Sequence, residues 1–176
     1  SEIDMPATQF ETAKNRLGKM ATPNIYRLAT GSAEANTSLN AFDKALLQAG
    51  IGDTNLVRMS SILPPGAQQV SKLELPKGAL VPVAYAALES ERKGDQIAAA
   101  VGVGIPENSL ESGVIMEYKH HGAGQTAEEK VRKMVEDAFA YRRRELAEVI
   151  SVSVDHTVKK CGAVFAGVVL WYAEEA

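Results

Sequence analysis

Two adjacent hydroxyls, Ser60 and Ser61, stand in "NLVRMSSILPPG" between an apolar run and a Pro-Pro-Gly break. A serine hydroxyl is a weak nucleophile without an activating base, and none lies beside this pair in the sequence. One reaction needs no external base when the backbone is held strained. The Ser61 hydroxyl attacks the carbonyl of the peptide bond before it, and the resulting ester undergoes β-elimination. The dehydroalanine left behind hydrolyses to a pyruvoyl group and ammonia. Such a ketone forms a Schiff base with a substrate amine and withdraws electrons as carbon dioxide leaves. Pro64 and Pro65, each restricted in φ, would help to hold the scissile geometry. The same residues also make an ordinary strand ending, and Ser-Ser before a proline turn is commonly no more than that. Spacing alone leaves both roles open.

Two carboxylates add to the inventory. Glu117 in "GVIMEYK" has apolar neighbours on a strand pattern. Burial there would raise its pKa and make it a proton donor near neutral pH; the alternative is a solvent-facing glutamate near a strand end. Asp43 in "NAFDKALL" borders the apolar stripe of a helix. It either faces solvent beside a lysine or points at a cationic ligand. His120 and His121 are adjacent, and so directed apart on a strand, while His156 is remote; no zinc-ligand spacing exists. Ser60 and Ser61 lack the flanking glycines of a hydrolase elbow, and there is no Walker loop. "AAAVGVG" lacks the third glycine and the helix of a dinucleotide loop, so it reads as a closely packed strand. Cys161 reads as a small core residue of a strand rather than a catalytic thiol.

The elements that must position these groups follow from periodicity. Residues 1–22 read as an arm or a short helix, and residues 23–176 as one domain. "NIYRLATGSA" predicts a strand that gives way to a loop at Gly31-Ser32. "NTSLNAFDKALLQAG" predicts a helix capped by Thr37 or Ser38, with an apolar stripe of Leu39, Phe42, Leu46 and Ala49, stopped by Gly50. "NLVRMSSI" predicts one strand, and "ALVPVAYAALES", "DQIAAAVGVGIP" and "SGVIMEYKHH" predict three more, Pro82 marking an edge or bulge in the first of them. "TAEE" predicts a capping box with Thr126 at the N-cap and Glu129 at N3. Val131, Met134, Val135, Ala138 and Phe139 then carry a helix towards Leu146 or Val149. "VISVSVDHTV" and "CGAVFAGVVLWYAEE" predict a closing hairpin-like pair around two lysines. This order is neither strictly alternating β-α nor all-β; it fits antiparallel sheet covered by helices.

The bulk composition narrows the classes. The 176 residues are 45% hydrophobic and 23% charged, which excludes wholesale disorder. A formal net charge of -3 argues against a nucleic-acid partner, and the basic run "YRRREL" reads as a solvated face or a subunit contact. No run approaches the ~20 apolar residues that span a bilayer, and the mixed-charge N-terminus lacks a signal-peptide core. A soluble, cytoplasmic protein without a membrane partner is expected; a single cysteine, unable to form an internal disulfide, is compatible with that.

Taken together, "SLNAFDKALLQAGIGDTNLVRMSSILPPGA", "LPKGALVPVAYA", "GVIMEY", "VSVDHTV" and "FAGVVLWY" resemble the pyruvoyl-dependent arginine decarboxylases, in family order from about Asn24 to Tyr172. The resemblance implies conversion of L-arginine to agmatine and carbon dioxide, in polyamine biosynthesis or acid resistance. It implies cleavage between Ser60 and Ser61, with a covalent pyruvoyl group made from Ser61 as cofactor and neither metal nor pyridoxal phosphate. Asn55 corresponds to a residue associated with processing and site geometry. Glu117 corresponds to the proton donor to the substrate Cα, and with that role alone Glu117→Gln is expected to leave cleavage largely intact. Asp43 corresponds to the acid that receives the guanidinium, where a bidentate pair suits arginine better than lysine. The implied fold is a four-layer αββα sandwich, an α+β arrangement with mainly antiparallel sheets and two main helices. The implied assembly is a homotrimer or dimer of trimers with active sites between subunits. The N-terminal arm and "KHHGAGQTAEEK" do not match the family pattern. Two alternatives stay open: the same chemistry on another amino acid, or an uncleaved paralogue that serves as a binding module or subunit.

Overall fold

A computed structural model describes residues 22–173; the expected N-terminal arm lies outside them apart from its last residue. The first strand, β1 (Ile25–Ala35), runs straight through the Gly31-Ser32 step expected to be a loop. Gly31 is a packing device there. A Cβ on it would lie 2.0 Å from the carbonyl oxygen of Ala45, so the glycine lets a helix rest its backbone on the strand. That helix, α1 (Ser38–Gln48), is N-capped by Thr37, whose Oγ1 accepts from the Asn40 N–H at 3.1 Å. Its buried face is Ala41, Ala45, Leu46 and Ala49, while Leu39, expected in the stripe, is 75% exposed. Close approach at Gly31 admits only small side chains along the contact line, which turns Leu39 away.

Among the described residues nine strands make two sheets. In the first, β1 lies between β9 (Cys161–Trp171) and β4 (Gln68–Gln69), and the order is β2-β5-β9-β1-β4, with β2 spanning Asn55–Arg58 and β5 spanning Leu80–Ser90. The β1–β9 and β5–β9 pairs are antiparallel, whereas β2–β5 and β1–β4 are parallel. Pro82 sits where β5 has β2 on one side only, because the β5–β9 register begins at Val83. The missing N–H therefore costs no ladder bond. The second sheet has the order β3-β7-β6-β8, from β3 (Ile62–Leu63), β7 (Gly113–His121), β6 (Gln96–Pro106) and β8 (Leu146–Thr157), antiparallel throughout.

The inner faces of the sheets share one core that includes Ala84, Val101, Val103, Ile115, Val164 and Val168. Helix α1 covers the outer face of the first sheet over Ala29, Val83 and Phe165. A second helix, α2 (Gly124–Arg142), covers the second sheet with Ala127, Val131, Val135, Ala138 and Phe139. The result is the expected four-layer αββα sandwich. The "AAAVGVG" run is the central strand β6, where a Cβ on Gly104 would lie 2.5 Å from the Phe139 ring. Its glycines seat a helix rather than a phosphate.

Three boundaries differ from expectation. Helix α2 begins two residues before Thr126, with Ala123 at the N-cap and no side-chain cap bond of its own. Asp155 of β8 supplies the acceptor instead, taking the Gly124 N–H at 2.7 Å, so the "TAEE" box is not used. The helix ends at Arg142 through Arg143 in the left-handed conformation, because Leu146 onward joins the sheet opposite Pro106. Finally, β8 and β9 are not a hairpin: they lie in different sheets. β9 is buried on both faces over ten residues and needs a central place, whereas β8 is only half-buried and closes an edge.

Candidate functional site

The expected strand "NLVRMSSI" is in fact two, and the break falls at the serines. β2 pairs with β5 as far as Arg58 opposite Val83, and the Met59 N–H still reaches the Val83 carbonyl at 3.3 Å. The chain then leaves the first sheet. The Ser61 carbonyl accepts from Ile115 N–H at 2.9 Å, and Ile62 pairs with Val114 in the second sheet. Ser60 and Ser61 are thus the crossing between the two layers. Ser60 is exposed and Ser61 is buried.

Ser61 has φ of 73°, in the left-handed region that costs a side-chain-bearing residue about 1–2 kcal/mol. The Ile115 N–H bond to its carbonyl and the Ile62–Val114 pairing on its far side hold this conformation. Its Oγ donates to the Glu117 carboxyl, 2.8 Å from Oε1 and 2.9 Å from Oε2. Glu117 reaches it because β7 alternates: Ile115 points into the core between the sheets, and Glu117, two residues on, points the same way. Burial raises the Glu117 pKa above the ordinary glutamate range; the Ser61 hydrogen bond and the charge of Arg58 pull it down without winning.

Beside Glu117 lies a cavity of about 150 Å³ lined by Arg58, Tyr85, Ala86, Ala87, Glu117 and Lys119. It opens where β2 ends and leaves the edge of β5 uncovered. The Arg58 guanidinium stacks 4.0 Å from the centroid of the Tyr85 ring, which in turn rests on Phe165 with centroids 5.3 Å apart. Arg58, Tyr85 and Lys119 are neighbours of the site that the sequence did not single out. Only the period-two spacing of Lys119 from Glu117 could have signalled one of them.

Two expected residues are elsewhere within the single chain. Asn55, at the start of β2, donates its side-chain amide to the Gly78 carbonyl at 3.0 Å and braces the turn before β5. Asp43 is exposed on α1, on the outer side of the first sheet, and forms no hydrogen bond or ion pair with Ser61 or Glu117. His156 pairs with Glu34 at 2.7 Å and His121 with Asp95 at 3.3 Å. Cys161 is buried in β9. Among the described residues no three His, Cys, Asp or Glu side chains gather as a metal-ligating group, and no helix is long and apolar enough to cross a membrane.

The residues at the crossing fit the making of a pyruvoyl group in place. The Ser61 hydroxyl is buried and already bonded to a carboxyl, the backbone at Ser61 is strained, and Ser60 beside it is exposed. Comparison with known proteins points the same way. The family profile described as pyruvoyl-dependent arginine decarboxylase matches residues 25–175. The chain is 48% identical over 150 residues to the pyruvoyl-dependent arginine decarboxylase of Methanocaldococcus jannaschii, covering 85% of this chain and 91% of that one. It is 44% identical over 153 residues to the protein of the same name from Pyrococcus abyssi, covering 85% and 96%. The like-named Thermococcus kodakarensis protein is 43% identical over 152 residues, covering 86% and 96%.

Proposed function

Because the chain belongs to the pyruvoyl-dependent arginine decarboxylase family, we propose that it cleaves itself between Ser60 and Ser61 and then converts L-arginine to agmatine and carbon dioxide. The observation that carries this reading is the hydrogen bond from a strained, buried Ser61 hydroxyl to Glu117. Glu117 takes the Oγ proton as Oγ attacks the Ser60 carbonyl carbon and passes it to the Ser61 nitrogen, which leaves as an amine to give an ester. Elimination then releases Ser60 as a new carboxylate terminus, and water completes the conversion of residue 61 with loss of ammonia. In this reading Glu117 acts before cleavage as well as after it, against the expectation that its replacement spares cleavage.

The pyruvoyl carbonyl supplies an electrophile for the substrate amine and a sink for electrons as carbon dioxide departs. The chain's own residues do the rest. The Ile115 N–H keeps residue 61 fastened to the second sheet after its bond to Ser60 is gone. Glu117, whose pKa burial pushes up towards that of a useful proton donor, gives its proton to the substrate Cα. Asp43 receives the guanidinium. Since Asp43 of the same chain lies on the outer helix, it is a neighbouring copy's Asp43 that completes each site in a homotrimer or dimer of trimers. Asn55 serves processing and site geometry from the start of β2.

Intact mass under denaturing conditions tests the reading directly. Two fragments are expected, the larger without a free N-terminal amine, together with agmatine formed from arginine. Ser61→Ala should remain a single full-length chain. A wild-type protein that stays full-length after long incubation, or fragments that persist at this bond in Ser61→Ala, would overturn it.

A further inference from the structure

We propose that Arg58, with Lys119 beside it, receives the α-carboxylate of the substrate in the cavity that also holds Glu117. The inference rests on the arginine-decarboxylase reading and adds the part of the substrate that the reading leaves unplaced. Among the described residues, no acidic side chain lies within ion-pair distance of Arg58. Its guanidinium carbon instead lies 4.0 Å over the centre of the Tyr85 ring, itself braced by Phe165. A stacked guanidinium keeps its fork of N–H donors directed outward in the plane of the group, the geometry that a carboxylate fills with two parallel bonds.

The other groups on the cavity agree in charge. Lys119 lies two residues beyond Glu117 on the same face of β7 and lines the same cavity. Arg58 and Lys119 bring two positive charges, and burial pushes the Glu117 carboxyl towards its neutral form. The space therefore favours an anion and repels a guanidinium. Free arginine carries one of each, so the cavity orients it: α-carboxylate inward, side-chain guanidinium outward, towards a carboxylate elsewhere.

This placement has a stereochemical consequence. The bond from Cα to the carboxylate breaks, carbon dioxide leaves, and the electron pair remaining at Cα is finally taken by a proton from Glu117. Glu117 lines the space that the carboxylate vacated. The proton then arrives on the face from which carbon dioxide left, with retention of configuration. Carbon dioxide is neutral, so the attraction of Arg58 ends with the bond. Arg58 is a substrate-binding and orienting residue, and the product amine is released without it.

The test compares arginine with agmatine, which lacks the carboxylate, on protein shown by mass to be cleaved. Arg58→Met should raise the KM for arginine roughly 10- to 100-fold while agmatine inhibits as it does in wild type. Arg58→Lys should recover part of the loss. Agmatine made by wild type in deuterium oxide should carry its label in the retained configuration. Equal weakening of arginine and agmatine, or an inverted label, would overturn the proposal. Should Arg58→Met fail to self-cleave, Lys119→Met carries the same comparison, and no split between the two ligands there counts against it. Failure of the broader reading looks different: wild type would then yield no fragments or no agmatine. If wild type cleaves and turns over arginine but the split is absent, only the carboxylate pocket falls.

Discussion

In the proposed reading Glu117 accepts a proton in the precursor and donates one in the mature enzyme, and its hydrogen bond to Ser61 and its place on the cavity suit both roles. Bonded to Ser61 Oγ, an ionised Glu117 is a base; on the wall of the neighbouring cavity, a protonated one is an acid. Its raised pKa gives the two activities opposite pH dependence. Cleavage of freshly folded precursor should speed up as pH rises from 4.5 through the raised value, because the base form is being produced. Turnover by the mature enzyme should instead fall as pH rises, because the acid form is being lost. Glu117→Gln should slow both by roughly 10²-fold or more and flatten both profiles, as timed mass spectrometry and an agmatine assay would record. Cleavage at an unchanged rate would remove the carboxyl from the first reaction. Ser61 and Glu117 drew notice through local signals, a hydroxyl pair before a fixed turn and an acid amid apolar neighbours, but those signals left both roles open and the family resemblance assigned them. Arg58, Tyr85 and Lys119 drew none, since they meet only through the parallel β2–β5 pairing and the facing of two sheets.

At the scale of elements, the sandwich depends on chain crossings between its layers, and the sequence reading missed two of them. The strand type of "NLVRMSSI" and of the last two apolar segments was plain from alternation and composition. Which sheet each joins depends on partners distant in sequence, so one strand was drawn where there are two and a hairpin where there is none. Glu34 at the end of β1 secures the later crossing. Its carboxylate accepts the backbone N–H groups of Lys159 at 2.8 Å and Lys160 at 3.0 Å and meets His156 of β8 at 2.7 Å. Burial alone would raise its pKa; the Lys159 N–H, the His156 ring and the Lys160 N–H outweigh that and hold it at about 2, against an ordinary 4.5. A carboxyl with a depressed folded-state pKa stabilises fully above its unfolded value and loses that contribution as pH falls through the folded one. Glu34→Gln should therefore unfold at lower denaturant than wild type at pH 7, with the gap closing between pH 4.5 and about 2. Equal midpoints at pH 7 would show that the crossing needs no such clamp.

For the whole molecule, cleavage at the crossing would divide the sequence without dividing the fold. The fragment up to Ser60 carries β1, α1 and β2, and the fragment from residue 61 carries everything after them. β1 is paired with β9 from Ile25–Trp171 to Ala35–Cys161, β2 with β5 over four residues, and α1 packs against residues of both fragments. Neither piece can leave without dismantling the first sheet, so both should co-elute on size exclusion and separate only in denaturant; a free small fragment in native buffer would contradict this. The proposed sharing of sites between copies has its own consequence. If one copy supplies residue 61 and its neighbour supplies Asp43, a site fails when either is lost, but the two losses complement each other in a mixed assembly. Ser61→Ala retains Asp43, and Asp43→Asn retains the cleavable serine. Each variant alone should be inactive or nearly so. Co-expressed in equal amounts and assembled at random into closed rings, they should regain activity in about a quarter of the sites, because an intact site needs one particular variant on each side. Activity no greater than the sum of the separate variants would mean that Asp43 does not serve a neighbour's Ser61. With Asp43 on the far side of its own first sheet, the guanidinium would then need a different receptor.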